Sequence, residues 1–179
     1  MTTKAPEFSR PYRLDAIGGE PRAVHVEADE AERAALAGRF GLVAIEALAA
    51  DATIRREGQR VWAEGRLKGR AVQSCVATGD PIPARVDEPF ALRFDPEGET
   101  SEDEVELEES DLDVLSYEGG SIDLGEAVAQ GFSLALDPFP RVPDAEERLR
   151  AAGVKSEEEA EEARIEASPF AALKALKGE

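Results

Sequence analysis

Between Val61 and Phe94 the chain alternates apolar and polar side chains almost residue by residue, and that period of two confines it to half-buried β-strands. Along 61–71, Val61, Ala63, Leu67 and Ala71 fall on one face, with Gly65 and Gly69 between them. Trp62, Glu64, Arg66, Lys68 and Arg70 fall on the other. In the next strand Ile82, Ala84, Val86, Phe90, Leu92 and Phe94 share a face, while Arg85, Asp87 and Arg93 share the opposite one. An antiparallel sheet with one buried face follows. Turn signals at Glu57-Gly-Gln59 and Thr78-Gly-Asp-Pro81 divide the meander into strands near 45–55, 60–76 and 82–94.

The flanks are of a different kind. Phe8 to Leu14 is a short extended stretch whose Pro11 suits an edge strand, and Arg22 to Glu27 alternates as a strand does. Asp29 with Glu32 reads as a capping box opening an early helix that carries Leu36 and Phe40 on one face and stops at Gly41. Asp123 with Glu126 reads as a second box. Leu124, Val128, Phe132 and Ala135 then follow at helical spacing, until Asp137-Pro138 ends the run. Asp144 with Glu147 and Ser156 with Glu159 start two short charged helices, and Ser168-Pro169 starts a last one. The pattern predicts an α+β fold: an antiparallel β-sheet or partly closed barrel with one early helix, followed by a helical C-terminal third. Residues 6–142 are expected to form a single domain that includes an acidic flexible segment at 95–118, and 143–179 a charged helical tail.

Composition narrows the function classes. The 179 residues carry a net charge of −18, with 42% hydrophobic and 34% charged side chains. Residues 1–93 balance at 14 acidic and 14 basic side chains, whereas 94–118 hold 12 acidic and no basic ones. The charge pattern is a neutral body with one acidic arm. One cysteine, Cys75, and one histidine, His25, exclude an internal disulfide and most zinc sites. The start of the chain lacks the apolar stretch of a secretory leader, and the longest apolar run, Leu42 to Ala50, is interrupted by Glu46. A soluble cytoplasmic protein is expected.

Catalytic constellations are poorly supported. Any Ser-His-Asp or Cys-His arrangement must use His25, which sits mid-strand, and no phosphate loop or dinucleotide fingerprint occurs. No catalytic residue, metal site or cofactor is therefore assigned. The acidic stretch places Asp95, Glu97, Glu99, Ser101, Asp103 and Glu106 at the ligand positions of a calcium loop. Thr100 replaces the required glycine there, and the flanks are not helices. The basic stripe is the candidate nucleic-acid surface. Arg66, Lys68 and Arg70 stand about 7 Å apart on one strand face, Arg85 and Arg93 extend them from the neighbouring strand, and Trp62 offers a ring for stacking. Candidate partner-docking residues are Glu102, Asp103, Glu104 and Glu106 of the acidic arm, with Phe170, Leu173 and Leu176 on one face of the last helix.

The order of pieces also carries a family resemblance. The segments that carry it are Cys75-Val-Ala-Thr-Gly-Asp-Pro-Ile82, the acidic stretch, Ile122-Asp-Leu-Gly-Glu-Ala-Val128, Leu134-Ala-Leu-Asp-Pro138 and the closing Ser168-Pro-Phe-Ala-Ala-Leu-Lys-Ala-Leu-Lys177. Together they resemble the YceD family, the large ribosomal RNA subunit accumulation proteins, over nearly the whole chain. The family pattern reads Cys-x-x-Cys-Leu-x-Pro, then Ile-Asp-Leu, then Leu-x-Leu-Pro-x-x-Pro, and ends Asn-Pro-Phe-Ala-x-Leu-x-x-Leu-Lys. Here the second cysteine is Thr78, so a zinc site built on that cysteine pair cannot form. Ser168 replaces the asparagine and keeps an N-cap, and Arg141 stands where a histidine is common. The resemblance implies a non-enzymatic role in accumulation of large-subunit ribosomal RNA. The expected partner is that RNA or a ribosomal precursor particle, the alternative a basic ribosomal protein held by the acidic arm; no membrane is expected.

Overall fold

The structure, a computed structural model, describes residues 6–98, 113–155, 160, 161 and 164. Glu102, Asp103, Glu104, Glu106, Phe170, Leu173 and Leu176 lie outside the described residues, as do the predicted helix starts at Ser156 and Ser168. The chain divides into two units. The first comprises Met1–Ser74 with Pro81–Pro138, the second Cys75–Asp80 with Phe139–Glu179.

The first unit contains β1 (Pro11–Arg13), β2 (Arg22–Glu27), α1 (Glu30–Phe40), β3 (Ala44–Glu57), β4 (Arg60–Ser74), β5 (Pro81–Pro96), β6 (Asp113–Tyr117), β7 (Ser121–Asp123) and α2 (Leu124–Ala135). Five strands form one sheet in the order β2-β3-β4-β5-β6, and β1 pairs with β7 in a separate two-stranded ribbon. β3, β4 and β5 are long, at 14, 15 and 16 residues, because the alternation that makes them continues through most of the stretch flanking two tight turns. Gly58 and Gly79 adopt positive φ at those turns, which only glycine does without a steric penalty. β2 and β6 occupy the two edges of the sheet, so it is open rather than closed into a barrel.

One pairing differs from the antiparallel expectation. β6 runs parallel to β5, with Leu92 to Pro96 in register with Asp113 to Tyr117. The pair is antiparallel nowhere, because the chain leaves β5 at Pro96 and re-enters at Asp113 heading the same way. Residues 95–96 and 113–117 of the segment expected to be flexible are thus strand. Tyr117 supplies the reason: its ring is buried and its hydroxyl donates to the Gln59 carbonyl at 2.7 Å. Leu115 packs beside it against the core. Two apolar side chains spaced by two are enough to add a short strand to a preformed edge.

The helices follow their sequence signals. Asp29 caps α1 through the Glu32 N–H, and the Glu32 carboxylate returns to the Asp29 N–H, a complete capping box. Asp123 caps α2 through the Glu126 N–H. Here the box stays half-made, since Glu126 turns outward to a bidentate pair with Arg39 of α1. α2 lies over the inner face of the sheet and buries Leu124, Val128 and Phe132. Gly69 of β4 makes room for it: a Cβ there would run into the Phe132 ring. Phe132 is 0% exposed, and burial of such a ring stabilises a fold by roughly 1.5–3 kcal/mol.

The second unit holds α3 (Ala145–Ala151) and the Cys75 turn. Within it the Val76 N–H donates to the Pro140 carbonyl, and the Val142 N–H to Cys75 Sγ. Arg148 of α3 forms ion pairs with Asp80 and Asp144.

Candidate nucleic-acid interface

The outer face of the sheet opposes α2 and α1 and is built from cross-strand rows whose register is set by the two tight turns. The first row runs Ala47–Arg70–Arg85, the next Glu27–Ala49–Lys68–Asp87, the third His25–Asp51–Arg66–Pro89. Further along stand Ala23–Thr53–Glu64–Ala91 and then Arg55–Trp62–Arg93–Val114. All five predicted members from β4, Trp62 and Glu64 included, point outward as the alternation requires; Arg66, Lys68, Arg70 and Arg85 are exposed and Trp62 is half-buried.

The stripe is not uniformly basic, however. Arg66 Nε donates to Asp87 Oδ1 at 2.5 Å, and Arg70 Nε lies 3.4 Å from Glu46 Oε2. Glu46 reaches Arg70 because a bulge between Ile45 and Ala47 inserts it into β3. Lys68 and Arg85 have no carboxylate within ion-pair distance among the described residues. Arg70 and Arg85 stand directly opposite one another, a like-charge pairing that ordinarily costs stability.

Arg93 corrects the sequence reading. It belongs to the outer face by parity but is only 7% exposed, with its Nε donating to Asp95 Oδ1 at 3.1 Å. The cause is β6, which pairs along Leu92–Pro96 and covers that end of β5. Arg93 is therefore separated from the exposed cations. Trp62 also differs from a free stacking platform, because the Arg55 guanidinium lies 4.6 Å from the ring centroid. Arg55 was not foreseen, although the turn at Gly58 pairs position 55 with 62 by count alone.

His25 sits at the end of the Arg66 row. Its Nδ1 shares a 2.7 Å hydrogen bond with Asp51 Oδ1, and its Nε2 lies 3.7 Å from Glu27. The hydrogen bond to Asp51 raises the histidine pKa, with Glu27 adding to the effect and partial burial opposing it. In the second unit, the Thr78 hydrogen bond and the N–H groups of Val142, Ala77 and Thr78 outweigh desolvation and bring the buried Cys75 thiol down to about 7. Among the described residues no three His, Cys, Asp or Glu side chains group as metal ligands would. Asp95, the first of the calcium-type positions, is tied to Arg93 and lies 3.8 Å from Arg60. A cleft of about 240 Å³ beside β6 and α2 is lined by Phe94, Tyr117, Glu118, Asp123 and Glu126. Asp123 is committed there to Ser9, the Arg10 N–H and the α2 cap, and Glu126 to Arg39.

The model of the family described as large ribosomal RNA subunit accumulation protein YceD matches residues 63–177. The chain belongs to the YceD family. The match begins in β4, so it takes in Arg66, Lys68, Arg70 and Arg85 and leaves out Trp62, Glu46 and Asp51. No curated protein and no solved structure matches the chain. Among the described residues no helix is long and apolar enough to cross a membrane.

Proposed function

We propose that this YceD-family protein is a non-enzymatic, cytoplasmic ribosome-biogenesis factor that supports accumulation of large-subunit ribosomal RNA by touching that RNA, or a precursor particle, with the outer face of its sheet. The contact is made by Lys68, Arg70 and Arg85, with Arg66 at its border. The observation that carries the reading is the Arg70–Arg85 opposition with Lys68 beside it. Two exposed arginines stand opposite each other across a strand pair, and among the described residues only Glu46 pairs with either of them. An arriving phosphate relieves that repulsion and forms charge-assisted hydrogen bonds to groups already held side by side.

The test is binding of large-subunit ribosomal RNA to the full chain and to the double variant Lys68→Glu with Arg85→Glu. Both side chains are exposed, so each change is expected to shift stability by no more than about 0.5 kcal/mol. Affinity falls by at least about tenfold if the reading holds; parental affinity in the folded variant contradicts it.

A second reading rests on the charge arithmetic: 12 acidic and no basic side chains between 94 and 118 suit an adaptor for a basic ribosomal protein. Replacing Glu102, Asp103, Glu104 and Glu106 with their amides abolishes capture of such a protein under this reading and leaves RNA binding intact or tighter.

A further inference from the structure

We infer that the RNA recognised at this face is single-stranded, a loop or an end rather than a duplex; this rests on the phosphate contact proposed above and narrows it to one class of RNA. The reason is the footprint of the exposed cations. Lys68 and Arg70 are two residues apart on β4, about 7 Å. Arg85 stands directly across from Arg70, about 5 Å away between Cα atoms. That patch spans roughly the separation of neighbouring phosphates on one strand.

Toward β3 and toward Glu64 the neighbouring positions carry carboxylates. On one side Glu46 sits against Arg70. Across from Lys68 stands Asp87, whose carboxylate is engaged by Arg66. Beyond Arg66 the row continues into Asp51, and the next outward position on β4 is Glu64. A duplex presents phosphates on two strands across a groove, and proteins that read its shape contact several successive grooves. Laid on this sheet, its second strand would fall on carboxylates toward β3 and Glu64, and on Val72 and Pro83, which offer no cation, the other way. A single strand needs only two or three phosphates held, and its remaining backbone bends away from the acidic border. The open sheet face also leaves room for unpaired bases, which a duplex cannot exploit.

Fluorescence polarisation decides the matter with the full chain, a single-stranded oligoribonucleotide, and the duplex of the same sequence, titrated over a range of salt. The inference predicts that the single strand binds at least about tenfold more tightly than the duplex. It also predicts a salt slope of about −1.4 to −2, as two or three single-strand phosphate contacts give. Lys68→Gln with Arg85→Gln abolishes that binding while thermal unfolding stays unchanged. A duplex bound as tightly as the single strand, or a slope steeper than about −4, overturns the single-strand inference and leaves the phosphate contact standing. If neither oligonucleotide nor large-subunit ribosomal RNA binds, the phosphate contact itself is overturned and this inference with it.

Discussion

Arg85 and Arg93 stand near the two ends of β5, on the same face of the same strand, and the fold treats them oppositely. Arg93 lies where β6 pairs with β5, is nearly inaccessible to water, and is bound to Asp95. Arg85 lies on the part of β5 that β6 does not reach, directly opposite another arginine and without a carboxylate partner among the described residues. Parity in the sequence assigns both to one surface. A five-residue strand added at one end of the edge is what divides that surface into a structural half and a half open for contact.

The contrast is sharpest when each arginine is removed. Arg93→Ala leaves Asp95 nearly buried with, among the described residues, only Arg60 nearby at 3.8 Å, so the fold is expected to lose about 2–4 kcal/mol in denaturant unfolding. Arg85→Ala removes an exposed, repelled cation and is expected to stay within about 0.5 kcal/mol of the parent while weakening RNA binding. Equal stability losses for the two variants, or an RNA defect in Arg93→Ala without a stability loss, erase the division.

The smallest expected effect lies at the far edge of the open half. His25 is held by Asp51, so its folded pKa is above the ordinary value of about 6.5. A histidine with a raised folded pKa stabilises the protein fully below its unfolded value, and that contribution disappears as pH rises through the folded value. Both partners are more than half exposed, so the contribution is at most about 0.5 kcal/mol. An NMR titration of this single histidine is expected to give a midpoint above 6.5 that falls in Asp51→Asn. A midpoint at or below 6.5 in the parent would show that the row is not coupled.

Much of this architecture is legible in the residues. The alternation from Val61 to Phe94 gives the strands and their faces, and the capping box at Asp29 and the cap at Asp123 place the two longer helices. Even the Arg70–Arg85 opposition follows from turn lengths. The Gly58 turn pairs 57 with 60 and the Gly79 turn pairs 74 with 81, after which every cross-strand partner is a matter of counting. Three things are not legible. β6 is masked by the carboxylates around Leu115 and Tyr117, and its direction depends on a connection through residues that carry no periodicity. Glu46 reaches Arg70 only because of a bulge, which shifts the register by one residue with no distinct sequence mark. Arg93 looks like Arg85 by parity, since burial of its end of β5 is a tertiary event.

The most direct measurement is the ratio of large-subunit to small-subunit ribosomal RNA in cells whose only copy of this protein carries Lys68→Glu with Arg85→Glu, at matched protein levels. The account predicts that the ratio falls as far as in cells lacking the protein, because the exposed cations carry the contact. A ratio equal to that of cells with the parental protein would contradict it.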